Sequence, residues 1–207
     1  MQRNIAKDWQ SLFLYFCVMK ILVLDNYDSF TYNLVQMTEQ IIGKQVFVSK
    51  NDEISLGEVE RFDKIILSPG PGIPSESGIL LELIRNFYTK KSLLGICLGQ
   101  QAIAEVFGGS LFNLREIYHG VATEVQVLGA DSKLFRNLPE KFDVGRYHSW
   151  AVNPAGFPEE LEITATDSEG MIMALQHRIH DVHAVQFHPE SVLTPLGRQM
   201  LMNFIID

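Results

Sequence analysis

The ten residues Ser92–Gln101 read SLLGICLGQQ, and this stretch decides how the surrounding chain folds. Small and apolar residues lead to Cys97, and the sequence that follows, LGQQAIAEVF, favours a helix. Gly95 and Gly99 stand two residues before and two residues after the cysteine, and only residues without a side chain permit so sharp a turn from strand to helix. The pattern predicts a strand, a tight turn that carries Cys97, and a helix.

Cys97 at such a turn is predicted to be a nucleophile. Its sulfur would lie over the first N–H groups of the helix, whose positive end favours a thiolate over a thiol. An isolated free cysteine is more often a small buried residue of the core. The two flanking glycines favour the reactive role here.

A nucleophile needs a base, and the segment His183–Ser191, HAVQFHPES, offers one. Its apolar residues predict a strand that leads to His188, and side chains two residues apart in an extended chain share a face. His188 and Glu190 are therefore expected to pair, with the carboxylate orienting the imidazole. Pro189 argues against a helix at this point. Alone, the motif is more typical of a surface histidine beside a surface glutamate, and its weight comes from the Cys97 turn in the same chain.

The first half of the chain alternates strand and helix signals. Strands are predicted at 21–25, 45–50, 64–68 and 92–96, helices at 31–42 and 79–90, and a short helical segment at 55–62. This alternation is typical of an α/β fold with a doubly wound, mostly parallel sheet and flanking helices, which binds ligands at the carboxyl ends of its strands. The turn NYDS, the loop SPGPG and the Cys97 turn all fall at those ends.

After Gly108 and Gly109 the pattern changes to strand signals separated by turn residues. The strands are predicted at 110–114, 121–128, 143–152, 161–167, 171–177 and 183–187, followed by a helix at 195–206. This half is expected to form a mixed or antiparallel β extension of the sheet.

Composition and charge limit the possible partners. A net charge of −8 argues against binding the phosphate backbone, so we expect no nucleic acid. Cys17 and Cys97 are the only cysteines, which makes a disulfide framework improbable and a reducing compartment the better expectation. No apolar run approaches the roughly 20 residues that a membrane-spanning helix needs, so we expect no membrane association.

Residues 1–18 do not fit the alternating pattern. Their apolar piece Leu12–Val18 has the character of a signal-peptide core, but no small-residue cleavage site follows it. We interpret 1–18 as an N-terminal extension outside a single catalytic domain at 19–207. An upstream start codon, with Met19 as the original start, is the preferred explanation. A short helix packed on the domain or on a neighbouring chain is the second explanation.

Four motifs in this order resemble the class I, or triad-type, glutamine amidotransferases: DNYDSFTYN at 25–33, SPGPG at 68–72, GICLGQQ at 95–101 and HPES at 188–191. The resemblance is closest to the glutaminase subunits of anthranilate synthase and of 4-amino-4-deoxychorismate synthase. It implies that Cys97, His188 and Glu190 hydrolyse L-glutamine through a thioester. It also implies a hetero-oligomer, in which a large chorismate-binding synthase subunit receives the ammonia.

The same resemblance assigns the remaining site residues. The backbone N–H groups of Gly72 and Leu98 are expected to form the oxyanion hole. Glutamine is expected to be bound by Gly70, Pro71, Gly72, Gln101, Ser149 and Trp150. The pair His119–Gly120 matches a family HG motif and is expected near the partner. In the loop SPGPG, prolines fix the backbone and glycines let an N–H group approach a ligand closely. In isolation, such a Pro/Gly motif is more typical of an ordinary turn with no binding role.

The resemblance implies no metal or organic cofactor in this chain, magnesium in the partner synthase, and a cytoplasmic location. It leaves open whether the chain serves the tryptophan branch, the folate branch or both. Three competing hypotheses are a γ-glutamyl hydrolase or cysteine peptidase of the same fold, a domain of GMP or carbamoyl-phosphate synthesis, and a non-catalytic binding module. The presence of Cys97, His188 and Glu190 together disfavours the last of these.

Overall fold

One large β-sheet organises the part of the chain that this computed structural model describes, residues 19–129 and 132–206. The strands are β1 (Ile21–Asp25), β2 (Phe47–Lys50), β3 (Lys64–Leu67), β4 (Ser92–Ile96), β5 (Leu111–Asn113), β6 (Val121–Val127), β7 (Lys141–Arg146), β8 (Trp150–Val152), β9 (Leu161–Asp167), β10 (Ile172–His177) and β11 (Val182–Val185). The α-helices are α1 (Thr31–Ile42), α2 (Leu56–Val59), α3 (Leu80–Phe87), α4 (Leu98–Val106) and α5 (Gly197–Ile206). The extension predicted at 1–18, with Cys17, lies outside the described residues.

Nine strands form the sheet in the order β2, β1, β3, β4, β11, β10, β9, β6, β7. Its first five strands are parallel to one another. The remaining four continue the sheet by antiparallel pairing. The expected α/β fold, a doubly wound and mostly parallel sheet with an antiparallel extension, is confirmed. Among the described residues no helix is long and apolar enough to cross a bilayer.

The four inner parallel strands, β1, β3, β4 and β11, are buried on both faces, which is why they read as largely apolar runs rather than alternating ones. In β1 all five residues are buried. Ile21 and Val23 pack into the cluster that includes α1 and α5, whereas Leu22 and Leu24 pack into the cluster that includes α3 and α4. Helices therefore cover the sheet from both sides, and the loops at the carboxyl ends of the strands stay free to form a site.

The strand predicted at 143–152 is the main error in the expected elements. The chain forms β7 up to Arg146, leaves the large sheet, and then forms β8, which pairs with β5 in a separate two-stranded sheet. The break falls where the pairing partner ends, because β6 begins at Val121 and Val121 lies opposite Arg146. Beyond that point the backbone N–H groups of Leu114 and Tyr118 donate to the carbonyls of Ser149 and His148.

The turn between β4 and α4 depends on the absence of two side chains. A Cβ atom at Gly95 would lie 2.6 Å from the backbone of Gly99, and one at Gly99 would lie 2.7 Å from the carbonyl oxygen of Leu67. Both distances are far below van der Waals contact, and the obstructing atoms are backbone atoms. Helix α4 can therefore rest directly on the sheet only with glycine at these positions.

Gly99→Ala is expected to lower the free energy of unfolding by about 1–3 kcal/mol, because the new methyl group overpacks backbone that has no room to move. Chemical denaturation of the purified chain measures the effect. The matched control is Gly57→Ala in α2, where a Cβ would meet nothing within 4 Å. That exposed helical position should be neutral or stabilised by up to about 1 kcal/mol. Equal stability of the two variants would contradict the packing argument.

Candidate active site

Cys97 lies between β4 and α4 with a strained backbone, φ +52° and ψ −100°. A positive φ is uncommon outside glycine, and it marks a side chain that the surrounding structure forces into place. The Cys97 N–H donates to the carbonyl of Val185 on β11 at 2.8 Å, and the N–H of Gln101 donates to the Cys97 carbonyl at 3.1 Å. Cys97 is almost fully buried. The predicted strand, turn and helix are thus formed with the sulfur at the carboxyl end of the sheet.

His188 and Glu190 form the predicted pair, but they do so in a turn and not in an extended segment. Strand β11 ends at Val185, and residues 188–191 form a turn in which the Ser191 N–H donates to the His188 carbonyl at 3.1 Å. The expectation of an extended segment is therefore wrong, since Pro189 and the turn carry the chain out of the sheet. The turn nevertheless brings Nδ1 of His188 to 2.7 Å from Oε1 of Glu190, with both side chains buried.

The charge of His188 follows from these neighbours. Burial lowers its pKa, but Cys97 and the Glu190 carboxylate favour the imidazolium more strongly and raise the pKa above its ordinary value. The Nδ1–H donates to Glu190, so Nε2 is the nitrogen available for chemistry. Nε2 is buried and has no hydrogen-bond partner among the described residues. The imidazole of His188 therefore lies between the Cys97 sulfur and the Glu190 carboxylate in a buried cluster.

Two aromatic rings hold the imidazole in its plane. The ring of Tyr147 lies 4.9 Å from the ring of His188, inclined at 63°, and the ring of Phe30 lies 6.2 Å away, nearly perpendicular. The Tyr147 hydroxyl is 3.0 Å from Oγ of Ser191, which ties the ring to the same turn. His119 packs edge-on against Tyr147 at 6.2 Å, so the HG motif borders this cluster.

A cavity of about 140 Å³ opens beside the sulfur. Its lining combines residues from three segments of the chain: Gly70, Pro71, Gly72, Cys97, Gln101, Tyr147, His148, Ser149 and Trp150. Every residue predicted to bind glutamine is among them. Leu98, the second predicted oxyanion residue, is the first residue of α4, directly after the sulfur. The structure thus brings the predicted site residues together, with His188 and Glu190 behind the sulfur.

The loop SPGPG is held by the turn that follows β1. Asn26 donates from its backbone N–H to Oγ of Ser68 at 2.9 Å and from its side chain to the Ser68 carbonyl at 2.8 Å. At Gly70 a Cβ would lie 2.5 Å from the Asn26 carbonyl oxygen, and Gly72 has a φ of +75°. Glycine is therefore required at Gly70 by close approach and favoured at Gly72 by backbone conformation.

The far wall of the cavity rests on a fully buried arginine. Arg146 donates to Asp167 at 2.8 Å and to Nε2 of His148 at 3.1 Å, and its guanidinium lies 3.6 Å from the ring centre of Tyr118. Because Nε2 of His148 accepts, its Nδ1–H donates to the Trp150 carbonyl at 2.9 Å. Burial and the positive charge of Arg146 lower the pKa of His148 to about 4, so this histidine is neutral at pH 7.

With this geometry established, comparison with known proteins assigns the family. A family model described as glutamine amidotransferase class-I matches residues 22–207. The chain belongs to the class-I glutamine amidotransferase family. The described residues hold no group of three or more His, Cys, Asp or Glu side chains placed to share a metal ion.

Individual members of this family are similar over nearly the whole chain. Aminodeoxychorismate synthase component 2 of Klebsiella aerogenes is 44% identical over 187 residues, covering 89% of this chain and 98% of that protein. Aminodeoxychorismate/anthranilate synthase component 2 of Bacillus subtilis is 43% identical, covering 89% and 95%. A glutamine amidotransferase of known structure from Thermotoga maritima aligns with a TM-score of 0.74 at 16% identity, covering 91% and 96%, and supports the fold alone.

Sequence reasoning did not assign a role to three residues of this site. Tyr147 and His148 belong to the YHSW segment, of which only the last two residues were assigned. Gln186, fully buried, donates to the Cys97 sulfur at 3.6 Å. Only their positions beside assigned residues could have indicated them, since a histidine, tyrosine or glutamine at such positions is common in any fold.

His148→Gln is expected to reduce the decrease in unfolding free energy that occurs as the pH is lowered. The folded pKa of His148 is depressed to about 4, so unfolding takes up a proton as the pH falls below 6.5, the ordinary value. The wild type should therefore lose about 2 kcal/mol more unfolding free energy than the variant between pH 7 and pH 4.5. Denaturant titrations at both pH values measure this difference. Parallel pH dependence of the two proteins would contradict it.

Proposed function

We propose that this chain is the glutaminase subunit of a chorismate-using synthase, which hydrolyses glutamine to glutamate and delivers ammonia for anthranilate synthesis in the tryptophan branch. The observation that carries the proposal is the buried His188–Glu190 pair beside Cys97, at a cavity lined by the residues expected to hold glutamine. Similar proteins named as component 2 of anthranilate or aminodeoxychorismate synthase support a partner chain. The same role in aminodeoxychorismate synthesis, in the folate branch, is the second candidate.

In the proposed first half-reaction, the Cys97 thiolate attacks the side-chain carbonyl carbon of glutamine. The carbonyl electrons move to oxygen, where the N–H groups of Gly72 and Leu98 stabilise the charge, each donor being worth about 3 kcal/mol. The C–N bond then breaks as the His188 imidazolium gives its proton to the leaving nitrogen. Ammonia and a glutamyl thioester remain.

In the second half-reaction, neutral His188 removes a proton from water while the oxygen attacks the thioester carbon. The C–S bond breaks, the thiolate and the imidazolium are restored, and glutamate leaves. Glu190 keeps its proton-free carboxylate throughout and holds Nδ1–H, so that Nε2 faces the reacting atoms in both steps. The net change is the addition of one water to glutamine.

The side chain of Gln101 can bind the α-ammonium group of glutamine. Both amide hydrogens of Gln101 are engaged, one by the Trp150 carbonyl at 3.0 Å and one by Oε1 of Gln186 at 3.4 Å. Its carbonyl oxygen is therefore the group free to accept from an ammonium. Ser149 and Trp150 contribute backbone and hydroxyl groups to the same cavity.

The proposal includes no metal or organic cofactor in this chain and a cytoplasmic location. Ammonia becomes ammonium in bulk water and then ceases to be a nucleophile, so a coupled partner is part of the proposed function. Magnesium is assigned to that partner.

Mixing the chain with the large subunit of each synthase, with glutamine and chorismate, tests the proposal. Anthranilate as the product supports it, aminodeoxychorismate selects the folate branch, and no glutamine-dependent product contradicts both.

Cys97→Ala is expected to abolish glutamine-dependent synthesis in the reconstituted complex and to leave ammonia-dependent synthesis intact. The two half-reactions lie on different chains, so loss of the sulfur should silence only the first. Product formation with glutamine and with ammonium salts measures both activities. Cys17→Ala, which changes the second cysteine of the chain, should retain both. Glutamine-dependent activity in the Cys97 variant would remove Cys97 as the nucleophile.

His188→Ala and Glu190→Gln are expected to separate the proton carrier from its orienting group. Removing the imidazole should lower kcat by about 10⁴-fold or more, whereas the Glu190 amide should cause a loss roughly 10²-fold smaller. Single-turnover measurements of thioester formation should still detect slow acylation in Glu190→Gln. Glu124→Gln, an exposed carboxylate on β6, is the control. Wild-type rates in both site variants would contradict these roles.

A further inference from the structure

Gln186 is a buried polar residue that the proposed mechanism does not use. It follows β11 directly, and its backbone N–H donates to the Met173 carbonyl on β10 at 2.8 Å. Its side chain is fully buried and lies between the side chain of Gln101 and the sulfur of Cys97. A buried amide requires hydrogen-bond partners on both of its ends, and the identity of those partners fixes its orientation.

The two partners of the Gln186 side chain leave only one orientation. Oε1 accepts from Nε2 of Gln101 at 3.4 Å, and Nε2 donates to Sγ of Cys97 at 3.6 Å. If the Gln186 amide were flipped, its oxygen would face Sγ of Cys97, and its N–H groups would face the N–H groups of Gln101. Gln101 is itself anchored, because it also donates to the Trp150 carbonyl at 3.0 Å. The geometry therefore directs an N–H group at the sulfur.

We propose that Gln186 is a positioning residue that stabilises the thiolate of Cys97 and sets the place of the sulfur relative to the substrate cavity, a role that rests on the proposed glutaminase function. A hydrogen bond to an anionic acceptor is stronger than one to a neutral acceptor, and burial strengthens it further. His188 interacts with the sulfur through its imidazolium, and Gln186 adds a neutral donor. The Gln186 side chain thus connects Gln101, which is expected to bind glutamine, to the sulfur of Cys97.

The test is the pH dependence of Cys97 alkylation in the isolated full-length chain, without glutamine or a partner. Iodoacetamide modifies the thiolate, and mass spectrometry of the Cys97 peptide gives the rate at each pH from 5 to 10. Gln186→Met has a similar volume but no donor. Its alkylation midpoint should move up by about one pH unit, with a roughly tenfold lower rate at pH values below the wild-type midpoint.

The matched control is Gln100→Met. Gln100 is also fully buried and adjacent to the site, but its amide donates only a 3.4 Å bond to the Ile172 carbonyl and does not contact the sulfur. Its alkylation profile should equal that of the wild type. The titratable groups around the sulfur include His188 and Glu190, Asp28 after β1, and Tyr147 and His148 in the cavity lining, and all are retained in both variants.

An unchanged midpoint in a folded Gln186→Met chain overturns the proposal, with folding checked by circular dichroism and thermal melting. If that variant does not fold, Gln186→Asn decides, because its shorter amide withdraws the donor from the sulfur. A wild-type profile in Gln186→Asn overturns the proposal equally. Alkylation does not require glutaminase activity, so failure of the proposed function leaves this result interpretable.

Kinetics in the reconstituted complex separate a positioning role from a structural one. Gln186→Met should lower kcat by about tenfold and change KM for glutamine by less than about twofold, because Gln101 keeps its bond to the Trp150 carbonyl. A rise in KM at unchanged kcat would instead assign Gln186 to substrate binding and overturn the proposal.

Discussion

The close approach of α4 to the sheet is the constraint on which the rest of the site depends. Gly95 and Gly99 let the helix begin directly above the strand, and Cys97 makes that connection with a positive φ. The strain is local, but the hydrogen bond from Cys97 to Val185 and the packing of α4 hold it in place. The sulfur is therefore presented by rigid elements rather than by a mobile loop, which suits a nucleophile that must meet a small substrate.

Around this fixed point, the loops at the carboxyl ends of neighbouring strands are tied to one another. Asn26 after β1 is bonded to Ser68 after β3, and Asn51 after β2 donates to Asn26 at 3.0 Å. The His188 turn after β11 packs against the loop after β1, where the ring of Phe30 lies 6.2 Å from the ring of His188. Because these strands are parallel and adjacent, residues far apart in sequence arrive at one edge of the sheet without long connections. The order of the strands in the sheet is therefore as necessary for assembling the site as the sequence motifs are.

Sequence reasoning predicted the elements with strong local signals. The α1 helix and strand β9 have the expected bounds, and the glycine spacing located Cys97. It did not predict the break after Arg146, because a strand ends where its partner ends, and the partner is far away in sequence. The His188–Glu190 pair was expected for the wrong reason, since a turn and an extended segment both bring alternate side chains together. Gln186 could not be predicted because its role depends only on which atoms it faces.

Two buried histidines lie at this site, and their surroundings make one of them positively charged and the other neutral. His188 is buried between a sulfur and a carboxylate, which outweigh its loss of hydration and favour the imidazolium. His148 is equally buried but faces Arg146, whose own charge is matched by Asp167, so it stays neutral and serves as a donor to the Trp150 carbonyl. The positive charge of the site is thereby confined to the side of the sulfur. The opposite wall, with neutral donors and carbonyl groups, suits the α-ammonium and α-carboxylate groups of the proposed substrate.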